Sequence, residues 1–149
     1  QILTIEKLTS KHADGQSLFK DIEFSLKKGD KVAILAKEGI ATTQFYEILM
    51  GNKQPDGGNF KWGVTITSAY LPSDNSEFFK SELNLVDWLR QYSVEKDETY
   101  IRGFLGRMLF SGEETLKMCG VLSGGEKVRC MLSKMIMTGA NVLVLDEPT

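Results

Sequence analysis

The spacing of apolar residues predicts an amphipathic helix in the last part of the chain. Apolar side chains recur three and four positions apart from Val128 to Ile136, a spacing that forms one buried face of an α-helix. Ser123 precedes this run, and Glu126 comes three residues after the serine, so that the two form a Ser-x-x-Glu capping box. Gly139 can end the helix. The pattern therefore predicts a core helix between Ser123 and Gly139.

Two glycines interrupt the start of this predicted helix. Gly124 and Gly125 stand between the serine and the glutamate of the capping box. Each glycine weakens the first turn of a helix unless another group must approach the backbone closely. Bare N–H groups, a hydroxyl and the positive end of a helix together form an anion site. A capping box alone indicates only a core helix, whereas the glycine pair favours anion binding.

A short apolar run at residues 141–145 predicts a strand, of the kind found in parallel sheets that are covered on both faces. Asp146 and Glu147 follow it directly, and ligands of open α/β sheets bind beyond the carboxyl ends of the strands. One carboxylate there suits Mg²⁺, and a second suits the orientation of an attacking water. The alternative is a solvated acid pair, but the serine–glycine stretch about 20 residues upstream favours the functional interpretation.

These two motifs resemble those of the ATP-binding cassette (ABC) family. Residues 122–126, Leu-Ser-Gly-Gly-Glu, are similar to the signature motif, and residues 142–149 are similar to the Walker B strand. Residues 60–63 and 102–111 resemble the F subfamily, whose members carry two cassettes in one chain, have no membrane domain and often act on ribosomes. The resemblance covers essentially the whole chain. It implies an α/β, P-loop NTPase-like (RecA-like) fold with a partial parallel sheet, a small antiparallel β lobe and a helical signature lobe.

The same resemblance implies that the chain is the N-terminal part of one nucleotide-binding domain, truncated after Walker B. We expect the antiparallel β lobe at about residues 1–28 and 58–72, the core at 29–57 and 139–149, and the helical lobe at about 80–138. Further core strands and a switch histidine are expected beyond Thr149. We also expect an exposed sheet edge beside residues 141–145, which invites self-association.

The stretch that should hold phosphates departs from its motif. Residues 31–35 predict a strand, and a helix is predicted from Thr43 to Met50, stopped by Gly51. Between them a P-loop, Gly-x-x-x-x-Gly-Lys-[Ser/Thr], would be in its correct context. The residues that fall on the motif are Ala36, Gly39, Ala41, Thr42 and Thr43.

Alanines replace both motif glycines, and Thr42 replaces the motif lysine, so only Thr43, at the Mg²⁺ hydroxyl position, fits. A hydrogen bond to a charged group contributes roughly 1.5–3 kcal/mol. Its loss corresponds to about a ten- to hundredfold weaker affinity. Glu38 adds negative charge beside the expected polyanion. We therefore interpret this loop as a degenerate Walker A motif that now only connects a strand to a helix.

The remaining patterns complete the predicted elements. They predict strands at residues 1–8, 18–26, 59–62 and 65–71, helices at 83–92 and 98–110, and a short helix from Ser111 to about Met118. We expect the four strands to pair in the antiparallel lobe. The family resemblance places Ser73 at the glutamine-loop position, so a second nucleotide-sensing residue is missing.

Composition adds limits to function. The chain is 42% hydrophobic and 26% charged, as is ordinary for a globular domain, and its net charge of −2 argues against a broad nucleic-acid-binding surface. Cys119 and Cys130 are expected as reduced thiols of a cytoplasmic protein. No apolar run is long enough to span a bilayer. Four cations are expected on a solvated face, namely Lys117, Lys127, Arg129 and Lys134.

In the resembled family two cassettes face each other head to tail, and each nucleotide lies between one P-loop and the other signature helix. The resemblance implies that residues 122–126 contact ATP held by a second cassette of the same full-length chain. The chain's own site would be degenerate, with Asp146 and Thr43 as Mg²⁺ ligands and Glu147 as the catalytic residue. The family hydrolyses ATP, but we expect this chain alone to be inactive. Two other interpretations are a scaffold with relic motifs for protein or ribosome contact, and an ordinary cassette whose loop tolerates the substitutions.

Overall fold

A computed structural model describes residues 1–147 as two compact units. The first unit is Gln1–Ser68, and the second begins at Ala69. Pro148 and Thr149, which close the predicted Walker B motif, lie outside the described residues. The elements in chain order are β1 (Leu3–Lys11), β2 (Ser17–Leu26), α1 (Gly39–Leu49), β3 (Gly57–Trp62), β4 (Ser68–Leu71), α2 (Leu85–Arg90), α3 (Glu98–Arg107), α4 (Gly124–Met137) and β5 (Val142–Leu145). Short 3₁₀ turns lie at Ser76–Phe79, Gly112–Leu116 and Cys119–Val121.

The first unit contains a three-stranded antiparallel sheet in the order β2-β1-β3. Leu3 pairs with Leu26 on one side and with Trp62 on the other. The apolar side chains of β1 share a buried cluster with Phe45 and Ile48 of helix α1. The predictions of strands at residues 1–8, 18–26 and 59–62 in an antiparallel lobe are therefore confirmed, because alternating apolar positions place one sheet face against the helix.

The strand predicted at residues 31–35 is wrong. These residues form no regular secondary structure, and Val32 and Leu35 are 53% and 91% exposed. A strand requires backbone hydrogen bonds to a neighbour as well as an apolar sequence, and within residues 1–147 this run joins neither sheet. Helix α1 also begins at Gly39 instead of Thr43, so the second half of the predicted phosphate loop is already helical.

The second unit packs its helices around one apolar cluster. Trp88 of α2 is fully buried; its ring stacks on Phe79 at a centroid distance of 4.9 Å, and its Nε1 donates to the Phe78 carbonyl at 2.7 Å. Leu105 of α3 and Met131 of α4 join the same cluster. The 3.6-residue apolar periodicity thus placed these helices correctly. Among the described helices none is long and apolar enough to cross a membrane.

The strand predicted at residues 65–71 has a different partner from the one expected. Strand β4 pairs with β5 in a two-stranded sheet and not with the sheet of the first unit. In β5 Val144 is buried, whereas Leu143 and Leu145 are 44% and 36% exposed. The prediction of a strand covered on both faces is therefore wrong for the described residues. Alternation in a sequence identifies a strand but does not specify which strand lies beside it.

Both cysteines are free and buried. Cys119 begins a 3₁₀ turn, and its Sγ donates to the Ser81 carbonyl at 3.0 Å. Cys130 lies on α4, and burial raises the pKa of its thiol to about 12. Both are therefore packed in the core of the second unit, and Cys130 stays protonated at neutral pH.

Candidate functional site

Helix α4 begins with a complete capping box. The Ser123 Oγ accepts a hydrogen bond from the Glu126 N–H at 3.2 Å, and the Glu126 Oε1 accepts one from the Ser123 N–H at 2.9 Å. Ser123 has extended backbone angles, as an N-cap residue requires. Two of the otherwise unpaired donors at the helix start are satisfied in this way. The helix start predicted from the sequence is confirmed.

A lysine that the sequence did not identify completes this arrangement. The Lys117 Nζ lies 2.9 Å from the second carboxylate oxygen of Glu126, Oε2. The backbone N–H of Ser123 and the Lys117 ammonium lower the pKa of Glu126 to about 2. Glu126 is therefore an anion throughout the neutral range, with a different donor on each oxygen.

The two glycines of the signature leave open space at the helix start. A Cβ added to Gly124 or to Gly125 would meet no atom of the chain within 4 Å. Neither glycine has a positive φ, so the backbone conformation does not require glycine there. Leu122, the preceding residue, is instead buried in the core of the second unit. The chain's own packing thus fixes the leucine and the serine but gives no reason for the glycines, which fits a close approach by another molecule.

The expectation that the cations near this helix form a solvated face is wrong for two of them. The Arg129 guanidinium lies over the Phe110 ring at 4.6 Å. The Lys134 ammonium lies 4.2 Å from the Phe78 ring centroid and 4.4 Å from that of Tyr92, and burial lowers its pKa. These side chains anchor α4 to aromatic rings of its own unit.

The predicted Walker B residues directly follow strand β5. Asp146 is 1% exposed; its N–H donates to the Leu71 carbonyl at 2.9 Å, and the Tyr70 hydroxyl lies 3.3 Å from its Oδ2. Glu147 is exposed and has a φ of +48°. That left-handed conformation is unfavourable for a residue with a Cβ, and such outliers cluster at functional sites. The two acids thus differ, one held by β4 and the other presented in a strained turn.

The degenerate Walker A residues belong to the first unit, and their helix start is not capped. Glu38 is the N-cap residue of α1, and its side chain makes no cap hydrogen bond. The Thr42 hydroxyl donates to the Gly39 carbonyl at 2.9 Å, and the Ala41 N–H donates to the Glu38 carbonyl at 3.1 Å. Two groups that a phosphate could use are therefore already occupied by local hydrogen bonds.

A cavity of about 890 Å³ lies beside this helix start. Its walls come from β2, from the irregular segment before α1 and from the first turns of α1. Three acids line it, Asp21, Glu23 and Glu38, against one cation, Lys37. The excess of negative charge opposes a triphosphate in this cavity.

The donors for magnesium are few. Within residues 1–147 no group of three or more His, Cys, Asp or Glu side chains is placed to hold a metal ion. Mg²⁺ commonly binds to one or two protein oxygens together with phosphate oxygens. Asp146 and Thr43 have the oxygen chemistry that this mode requires. Ser73, the predicted glutamine-loop residue, lies exposed in the bend after β4 and carries no carbonyl oxygen to replace that of glutamine.

The structure adds Lys117 and Tyr70 to the residues found from the sequence. Lys117 is nine positions from its partner Glu126, and Tyr70 is 76 positions from Asp146. Neither separation has a helix or strand periodicity, so no pattern in the sequence pointed to them.

Comparison with known proteins gives a consistent family. A family profile described as ABC transporter matches residues 19–149. The chain is 54% identical, over 99% of its length, to the uncharacterized ABC transporter ATP-binding protein YkpA of Bacillus subtilis. It is 32% identical, over its full length, to the energy-dependent translational throttle protein EttA of Escherichia coli. The chain spans only 28% and 27% of these two relatives.

The fold agrees with these matches. The chain superposes with a TM-score of 0.79 on a dimeric post-hydrolysis state of an ATP-binding cassette bound to ADP and Pi, covering 99% of this chain and 75% of that one at 14% identity. That identity supports only the fold, a mixed α/β cassette fold with an antiparallel β lobe and a helical part. The profile covers well over half of the residues. The chain therefore belongs to the ABC transporter family, as an ATP-binding domain.

Proposed function

We propose that this domain supplies its signature helix to ATP held by a second cassette, while its own Walker A site is degenerate. In this composite site Ser123, Gly124 and Gly125 contact the γ-phosphate from across the interface. The full-length protein hydrolyses ATP, and this chain alone does so poorly. The observation that carries the proposal is the start of α4, where a complete capping box adjoins two glycines with nothing of the chain within 4 Å.

The start of α1 supports the second half of the proposal. Its N-cap position is a glutamate without a cap hydrogen bond, and the Thr42 hydroxyl is turned to the Gly39 carbonyl. A P-loop lysine would contribute a charged hydrogen bond to the phosphates, and threonine does not replace that charge. The acids that line the neighbouring cavity add repulsion. We propose that nucleotide binds weakly on this side.

The acids after β5 have separate roles in the proposal. Asp146 is buried and hydrogen-bonded, which suits a carboxylate held ready for Mg²⁺ together with Thr43. Glu147 is exposed, as an acid that orients an attacking water must be. When bound, Mg²⁺ would neutralise phosphate charge. Because this chain's own phosphate loop is degenerate, we expect little turnover from these acids.

We propose further that the full-length protein is an F-subfamily, tandem-cassette protein that acts in translation in the cytoplasm. The likeness to the translational throttle protein supports this role. Ribosome contact follows from the subfamily resemblance. Co-sedimentation of the full-length protein with ribosomes in the presence of ATP tests it, and recovery of the protein only in the ribosome-free fraction would contradict it.

The test of the composite site is Ser123→Arg in the full-length protein. A bulky cation at the cap should block the approach of the partner's nucleotide, and we expect ATPase activity to fall on the order of a hundredfold, as when a preorganised donor is lost. The matched control is Ser111→Arg. Ser111 also opens a Ser-Gly-x-Glu stretch, but its side chain makes no cap hydrogen bond, and we expect its activity to remain near wild type.

A scaffold with relic motifs predicts the opposite result. In that case Ser123→Arg and Ser111→Arg would leave the same ATPase rate. Thermal melting of both variants must accompany the assay, because a loss of activity that merely follows unfolding does not support the composite site.

A further inference from the structure

Lys117 is held rigidly beside the signature helix by its backbone. It is the C-cap residue of the 3₁₀ turn Gly112–Leu116, and its N–H donates to the Glu114 carbonyl at 3.2 Å. Its carbonyl accepts a hydrogen bond from the N–H of Leu85, the first residue of α2, at 3.0 Å. The next residue, Met118, forms an antiparallel bridge with Asn84. The start of α2 thus fixes the point from which the lysine side chain extends.

The far end of the lysine meets the one acid in the first turn of α4. Its Nζ is 2.9 Å from the Glu126 Oε2, while the Glu126 Oε1 accepts the Ser123 N–H at 2.9 Å. The glutamate side chain is 14% exposed and the lysine 44% exposed. The pair is therefore formed at the rim of the helix start, next to Ser123 and the two glycines.

A carboxylate at this place has two opposite effects. It stabilises the helix, because negative charge is favourable at a helix N-terminus. It also repels any phosphate that approaches the same N–H groups, by about tenfold in affinity for a unit charge at close range in a partly solvated site. A cation bonded to the carboxylate cancels the repulsion without removing the cap.

Resting on the function proposed above, we propose that Lys117 is a positioning residue of the composite ATP site. Its ammonium neutralises Glu126, so that one helix start both is capped by an acid and accepts a triphosphate from the partner cassette. Lys127, the next residue after Glu126, does not share this role, because its Nζ lies over the Phe79 ring at 5.9 Å.

The test compares Lys117→Met, Glu126→Gln and the double variant in the full-length protein, with the KM for ATP and the melting temperature as readouts. Glutamine keeps the acceptor of the capping box but removes the charge. We expect Lys117→Met to raise KM about tenfold, and Glu126→Gln in the same background to return it to within about threefold of wild type. Lys117→Arg retains the charge and should stay near the wild-type KM.

The melting temperature separates charge compensation from a purely structural role. The double variant lacks the ion pair, so it should melt no higher than Lys117→Met even though its KM recovers. A KM that stays high in the double variant would overturn the inference, as would an equal rise in KM for Lys127→Met. Ser123→Arg is measured alongside; full activity of that variant would reject the composite site itself, and the role of Lys117 with it.

Discussion

Helices α1 and α4 end in the same way and begin differently. At the end of α1 the Gly51 N–H donates to the Ile48 carbonyl, and at the end of α4 the Gly139 N–H donates to the Ile136 carbonyl. The two glycines have φ values of +80° and +81°. Both helices thus stop with a glycine in the left-handed conformation, which satisfies free carbonyls at little conformational cost.

The starts show where the two regions have diverged. Helix α4 has a serine cap, a reciprocal glutamate and a lysine beyond it, whereas α1 has Glu38 without a cap hydrogen bond. Both helices fold and bury their apolar faces. The comparison teaches that packing and a proper helix end are sufficient for folding, whereas a complete set of groups at the helix start marks the end that serves a ligand.

The largest expected effect comes from restoring the phosphate loop of α1. Ala41→Gly with Thr42→Lys should strengthen binding of ATP and Mg²⁺ to this domain about ten- to hundredfold, because a charged hydrogen bond to phosphate is added. Isothermal titration calorimetry measures the affinity. The two single variants separate the contribution of the backbone from that of the charge.

Unchanged affinity in the double variant would mean that the loop has collapsed or that the motif has been placed in the wrong register. Micromolar or tighter binding by the unaltered chain would contradict the degenerate loop directly. Either result would remove the difference between the two helix starts.

The acid dependence of stability should come partly from the start of α4. The pKa of Glu126 falls from an ordinary value of 4.5 to about 2 on folding, chiefly through the Ser123 N–H and Lys117. Its stabilising contribution is therefore fully present above pH 4.5 and is lost as the pH falls towards 2. Urea midpoints measured across this window should decline less for Glu126→Gln than for wild type.

The matched control for the acid series is Glu114→Gln. Glu114 holds the corresponding position in the other Ser-x-x-Glu stretch, where Ser111 forms no cap hydrogen bond. This variant should follow the wild-type pH profile. Identical profiles for wild type and Glu126→Gln would show that the capping carboxylate does not stabilise the fold.

Removal of the serine cap should have a moderate effect. Ser123→Ala leaves the Glu126 N–H without its acceptor and should lower the free energy of unfolding by about 1 kcal/mol. Ser111→Ala, which removes a serine that does not cap, should change it by less than about 0.5 kcal/mol. Urea denaturation of the two variants gives both values, and equal losses would contradict the difference that the structure shows between the two sequences.

The smallest effect is expected from a cap added to α1. Glu38→Ser should supply the missing acceptor and raise the free energy of unfolding by roughly 0.5 kcal/mol. Glu38→Gln removes the same charge without supplying a good N-cap residue. If both variants gain equally, charge and not capping distinguishes the start of α1.

Much of the second unit was predictable because its signals are local. The capping box, the apolar face of α4 and its glycine end depend on residues within one helix, and all three were read correctly from the sequence. The same Ser-x-x-Glu pattern at Ser111 failed, because that segment forms only a 3₁₀ turn. A capping box therefore forms where an apolar face follows that packs a full helix against the core.

The sequence by itself determined the helix start that distinguishes this protein, because hydrogen bonds between residues three apart and apolar spacing act within a single turn or two of helix. Only the tertiary structure decided that β4 pairs with β5, that residues 31–35 join neither sheet in the described chain, and that Lys117 and Tyr70 contact the two predicted motifs. These outcomes depend on which segments meet in space. A strand's neighbour and a carboxylate's counter-ion are chosen by packing between distant residues, and no periodicity along the chain records that choice.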